Sequence, residues 1–160
     1  QAGDSRQDAM NSVLIDVNDK YRQLRQSRTQ LRVARLAQET AIESEVACVR
    51  LGALNLACIP GELYPELVYG KFQEPVEANA DFADAALEPT IASIFGDSKW
   101  MLVGLANDEV GYIIPKSEWD NQAPWLYGSA ERHYGEINSL GPETAPQIHA
   151  ELKALAASLK

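Results

Sequence analysis

The sequence predicts an α/β fold, a mixed sheet with flanking helices. Three observations lead there. Two short apolar runs, residues 42–51 and 54–59, are separated by Gly52-Ala53, as the strands of a hairpin are. A third run, residues 99–105, is apolar on both faces, the pattern of a central strand. Near the C-terminus, Ile148, Leu152, Leu155 and Leu159 recur at spacings of four, three and four, the period of a helix.

The bulk numbers fit one domain. A chain of 160 residues with 46% hydrophobic residues has enough apolar surface for a core. A formal net charge of -9 argues against general nucleic-acid binding, which needs a basic footprint. No apolar run reaches the roughly 18 residues a membrane-spanning helix requires, so no transmembrane segment is expected. The chain begins Gln1-Ala2-Gly3-Asp4, without an initiator Met or an apolar signal segment. The expectation is a piece of a longer protein.

Taken in order, the first third reads as helix. Met10, Leu14, Val17, Tyr21, Leu24 and Leu31 lie along one stripe at helical spacing. Arg25, Arg28, Arg32 and Arg35 form a second line that partly overlaps the first. One straight helix would bury arginines beside leucines, so a break or change of direction is expected over residues 26–29. The arginine line could contact an anion or a lipid head group; a solvated face, or one packed on the rest of the protein, is the simpler account.

The hairpin over residues 42–59 follows. It sets Cys48 and Cys58 on adjacent strands, where a bridge is geometrically possible. Two buried thiols are the favoured alternative, because Cys often serves as a small buried hydrophobe. Pro60-Gly61 ends the second strand, and Glu62 is expected to open a short helix over residues 62–67. Residues 71–90 are acidic, rich in Ala and punctuated by Pro75 and Pro89, a surface excursion with some helix. After the strand at 99–105, Asn107-Asp108-Glu109 makes a polar turn, and an apolar run from Val110 to Ile114 stops at Pro115. A loop holding Trp119, Trp125, Tyr127 and Tyr134 leads to Gly141-Pro142 and the last helix.

Chemistry is expected at strand ends, where rigid elements present side chains to a cleft. Glu62 follows a buried strand directly, and Tyr112 sits inside an apolar one. Each also has a plain structural account: a Glu suits the first turn of a helix, and a strand Tyr is usually core with its hydroxyl satisfied. His133, beside Tyr134 and Glu136, is a pocket candidate, whereas His149 reads as a residue on the flank of the last helix. No HxH, HExxH or CxxC spacing occurs, and there is no GxSxG or phosphate-cradling glycine loop.

Three segments, in order, resemble the neutral/alkaline non-lysosomal ceramidases and their bacterial relatives. They are Leu54 through Ile59-Pro60-Gly61-Glu62-Leu63, Val103 through Asn107 to Tyr112-Ile113, and His133-Tyr134-Gly135-Glu136 through Ser139-Leu140-Gly141-Pro142. The resemblance covers roughly residues 40–155. It implies that the chain is the C-terminal portion of a larger catalytic domain that holds one zinc ion through two histidines, a glutamate and a tyrosine. Glu62 and Tyr112 match the last two, and Asn107, His133, Tyr134 and Glu136 are the expected pocket residues. The histidine ligands have no counterpart here, so the missing N-terminal part of the same domain would supply them. His133 and His149 do not match them.

The implied activity is hydrolysis of an amide, with the metal activating a water to attack the carbonyl. The implied partner is a lipid-like or small amide substrate, and the implied compartment is secreted or periplasmic. Ceramidases carry a Gly-Arg-Arg segment soon after the glutamate; this chain runs Leu63-Tyr64-Pro65-Glu66-Leu67-Val68-Tyr69-Gly70 instead. The acidic stretch at 71–90 also lengthens the span between Glu62 and Tyr112. Both departures place the chain nearer the uncharacterised bacterial relatives and leave the substrate open. The alternative is a non-catalytic relative that acts as a binding or structural domain.

Overall fold

The computed structural model describes residues 29–34 and 41–159. The stripe from Met10 to Leu24, with Arg25, Arg28 and Arg35, lies outside the described residues. Within them the helical reading of the first third is corrected. Thr29–Ala34 forms strand β1, antiparallel to β2 (Ala41–Leu51), with Thr29 opposite Val46 and Ala34 opposite Ala41. Arg32 therefore sits opposite Glu43 on a strand. The ladder offered by β2, with the β-branched Thr29 and Val33, outweighs the local helical spacing.

The hairpin is present as expected. β2 pairs antiparallel with β3 (Leu54–Cys58), and Leu51 faces Leu54 across a two-residue turn. Gly52 takes φ +59, the left-handed conformation that tight hairpin turns require. β3 in turn pairs parallel with β5 (Lys99–Val103), with Leu54 opposite Lys99 and Cys58 opposite Val103. The order β1-β2-β3-β5 makes a mixed sheet with flanking helices, an α/β fold.

β5 is not central. It is the last strand of the described sheet, so Lys99 and Met101 face outward while Trp100 and Leu102 pack on the core. Met101, 48% exposed, explains the misreading: its side of the strand is apolar without being covered.

The core lies on the other face of the sheet. Val46, Cys48, Ala57 and Ile59 meet Ile148, Leu152 and Leu155 of the long helix at Thr144–Ser158. That helix was expected from its 4-3-4 spacing. Ile148 and Leu152 are fully buried, each contributing about 1.5–3 kcal/mol in transfer free energy. Two one-turn helices, α1 (Pro65–Tyr69) and α2 (Ile91–Phe95), add Leu67, Val68, Ile91 and Phe95 to the same core.

Register also decides the cysteines. Cys48 pairs with Ala57 and Cys58 with Ala47, so the two side chains project from opposite faces of the sheet. A bridge between them is therefore excluded. Burial, with Cys58 adding to it, pushes the Cys48 thiol up to about 11.

The excursion at 71–90 contains turns and no helix. Two of its carboxylates tie it to other segments. The Glu88 carboxylate accepts the Lys116 backbone N–H at 3.0 Å, and Asp81 accepts that of Asn121 at 2.6 Å. No described helix is long and apolar enough to cross a membrane.

Candidate functional site

The site is built where the parallel strands β3 and β5 end. Past Cys58 the chain crosses over the end of β5. The Ile59 N–H donates to the Val103 carbonyl at 2.9 Å, and the Ala106 N–H returns to the Ile59 carbonyl at the same distance. The Val110 N–H donates to the Pro60 carbonyl at 2.7 Å. These bonds lay Glu62–Leu63 (β4) parallel to Tyr112–Ile113 (β6), with Glu62 opposite Tyr112.

The helix expected to open at Glu62 is thus corrected to a strand. The Glu62 and Tyr64 N–H groups donate to the Gly111 and Ile113 carbonyls, each at 3.0 Å, completing a ladder. The helix starts only at Pro65, where a proline at the first position loses no intrahelical bond. The apolar run at 110–114 supplies strand only at Tyr112 and Ile113.

Gly61 permits the close approach: a Cβ there would stand 2.5 Å from the Gly111 carbonyl oxygen. Gly111 has φ +82, and its own Cβ would fall 1.9 Å from the Asn138 carbonyl oxygen.

Glu62 is exposed and Tyr112 half-buried, and the two are directly opposite each other in the β4–β6 register. The carboxylate of Glu62 is the foremost cause that raises the Tyr112 phenol above its ordinary range. Two more tyrosines bracket the ring. Tyr64 meets it edge-on at 6.3 Å and Tyr134 at 5.8 Å between centroids. Glu62, Tyr112 and Tyr134 line a cavity of about 470 Å³ together with Ile42, Asp108 and Ile137.

The other expected pocket residues divide. Tyr134 opens α3 (Tyr134–Ile137) and stands 70% exposed at the cavity. Asn107 lines a smaller neighbouring cavity of about 300 Å³ and lies 3.4 Å from a Glu45 carboxylate oxygen. His133 and Glu136 are not on the cavity wall. The His133 Nε2 lies 3.0 Å from the Leu126 carbonyl oxygen. Glu136 is buried with Oε2 unpartnered, and burial raises its carboxyl above the usual range.

His149 is no flank residue. It is fully buried, with Nδ1 2.7 Å from the Pro89 carbonyl oxygen. A carbonyl can only accept, so Nδ1 carries the proton, and burial lowers the ring's basicity.

Sequence reasoning missed Asp108 and Tyr64. Ser44 Oγ donates to Asp108 at 2.9 Å, a pairing between distant segments with no local signal. Tyr64 could have been found: two residues beyond Glu62, it shares a strand face with it, but the helical reading concealed that relation.

Glu62 and Tyr112 supply a carboxylate and a phenol at one register position beside one cavity, a donor set that suits part of a hard or borderline metal site. Among the described residues no group of three or more His, Cys, Asp or Glu side chains is placed to hold a metal. Compared with protein-family models and with curated proteins, the chain matches none.

Proposed function

We propose that this chain carries half of the active centre of a zinc-dependent amide hydrolase of the neutral ceramidase type, acting on an N-acyl, ceramide-like bond. Glu62 and Tyr112 would hold the metal, and two histidines would come from polypeptide outside the described residues. The supporting observation is that the two side chains named by resemblance, on segments far apart in sequence, are register partners on adjacent strands at a cavity. When bound, zinc supplies an acidified water and a polarised carbonyl. The chain's own residues place a carboxylate and a phenol on one wall, with Ile42 and Ile137 providing apolar contact for an acyl group. A secreted or periplasmic location belongs to the same proposal.

The second reading, a non-catalytic relative that keeps the sheet as a binding or structural domain, draws on the histidines. Both described ones are engaged with backbone carbonyls away from the cavity. One experiment separates the two readings. Expressed together with the polypeptide that contributes the histidines, the chain should hold about one zinc per molecule. Glu62→Gln should remove most of it, whereas the isolated chain binds zinc weakly. Full zinc retention in Glu62→Gln would remove Glu62 from the centre. No zinc in the parent would favour the non-catalytic reading.

A further inference from the structure

Tyr64 occupies an unusual place. Its backbone joins β4 to α1, with its N–H on the Ile113 carbonyl and its carbonyl accepting the Leu67 N–H, both at 3.0 Å. Its ring meets Tyr112 edge-on, with an interplanar angle of 77°. Its hydroxyl oxygen lies where a Cβ on Gly135 would come within 2.3 Å, and the ring carbon bearing it would be 3.3 Å away. Gly135 directly follows Tyr134, whose ring closes on Tyr112 from its own side at 71°. The two brackets around Tyr112 are therefore joined, because the hydroxyl of one is seated over the residue next to the other.

We propose that Tyr64 is a positioning residue for Tyr112, and that Gly135 is glycine so that the Tyr64 hydroxyl can seat over it. The inference rests on Tyr112 being the phenol of the candidate site. The seat fixes the Tyr64 ring, and the ring edge fixes the orientation of the Tyr112 ring on the strand beside Glu62. A side chain at position 135 breaks the arrangement at one point. Gly135 lies within α3, where alanine is a better helix former than glycine, so the substitution leaves the backbone at ease. What must give way most is the far end of Tyr64, while Ile114 Cδ1, 3.2 Å from the added carbon, yields by a few tenths of an ångström.

The test is a double-mutant cycle on the full chain without metal, read by the ring resonances of Tyr112 and their cross-relaxation with Tyr64. Gly135→Ala should shift the Tyr112 ring resonances and weaken the Tyr64–Tyr112 cross-peaks while the circular-dichroism melt stays unchanged. Gly135→Ala with Tyr64→Phe should restore both, since a phenyl ring lacks the oxygen that collides. Tyr64→Leu should abolish the signature in either background.

Unchanged Tyr112 resonances in Gly135→Ala, or an equal shift with Tyr64 and with Phe at position 64, would overturn the proposal. In the zinc-loaded assembly, Gly135→Ala should weaken zinc about tenfold, with the same rescue. If no variant binds zinc, the hydrolase reading fails while the ring signature still decides the role of Tyr64.

Discussion

Tyr112 donates its backbone N–H to the carbonyl of Asn138, 2.9 Å away, so the short strand bearing the candidate phenol is held on both sides. Glu62 stands on one side and the end of α3 on the other. This clamp leaves no room at the residue before Tyr112. Gly111→Ala would set a Cβ 1.9 Å from the Asn138 oxygen at φ +82. The cost should be at least about 2 kcal/mol, because strain and collision act together. Hydrogen exchange at the Tyr112 amide should accelerate markedly in that variant, and retention of parent-like protection would contradict the clamp.

The core prediction concerns Leu152. It is fully buried on the C-terminal helix against the sheet. Leu152→Ala should lower stability by about 3 kcal/mol, mostly through lost transfer energy and the cavity left behind. In a thermal melt that corresponds to a drop on the order of 10 °C. A loss no larger than that from an exposed position such as Leu87→Ala would place the helix elsewhere than on the sheet.

Buried carboxyls set a pH dependence. Burial raises Glu136 above its ordinary 4.5, so the folded state holds that proton more tightly than the unfolded chain does. The sign follows from linkage: the contribution is fully present below pH 4.5 and is lost as pH rises through the higher folded value. Glu136→Gln removes the ionisation. Its melting temperature, relative to the parent's, should climb between acid pH and about pH 8. A difference that stays flat, or falls, would show that the carboxyl is not buried as described.

His149 gives the opposite slope. Its ring is kept neutral by burial, with a basicity below the ordinary 6.5. That contribution is complete above pH 6.5 and is lost as pH falls toward the lowered folded value. His149→Gln should flatten this acid limb. If the limb is unchanged, another group carries it.

The two thiols should behave differently. Cys48 is buried with its thiol raised to about 11, so it is a poor nucleophile near neutrality. Cys58 lies on the other face and is only partly buried. Alkylation of the native protein at about pH 8 should therefore label Cys58 first. Mild oxidation should leave the intact monomer without an internal bridge, as judged by mass. Formation of an intramolecular Cys48–Cys58 bridge would contradict the register of β2 on β3.

What could be read from sequence was what local pattern controls. The β2–β3 hairpin follows from alternation and from Gly52, and the last helix from its 4-3-4 spacing. What failed depended on partners far along the chain. Thr29–Ala34 has helically spaced arginines near it and becomes a strand only because β2 supplies a ladder. Glu62 precedes Pro65, a fair signal for a helix start, yet it extends along Tyr112. Residues 99–105 look central because both faces are apolar, and nothing local says that, among the described residues, the sheet ends there.

The candidate site divides in the same way. Glu62 and Tyr112 were named from motif resemblance, and the structure brings them together. His133 and Glu136 were named as neighbours of Tyr134, but neither lines the cavity: His133 precedes α3 with its ring on the Leu126 carbonyl, and Glu136 is buried.

The crossover that joins β4 to β6 has a thermodynamic corollary. The two halves of the site are separated by α1, the whole excursion, α2 and β5, so bringing them together closes a long loop of chain. A partly unfolded molecule could keep the local β2–β3 hairpin and still have no site, since the crossover bonds at Pro60 and Ile59 depend on β5 and the loop beyond it. Any ligand held between Glu62 and Tyr112 would therefore draw on the stability of the entire assembly rather than of one loop. Its binding would raise the unfolding midpoint of the whole chain, and its affinity would act as a gauge of long-range order.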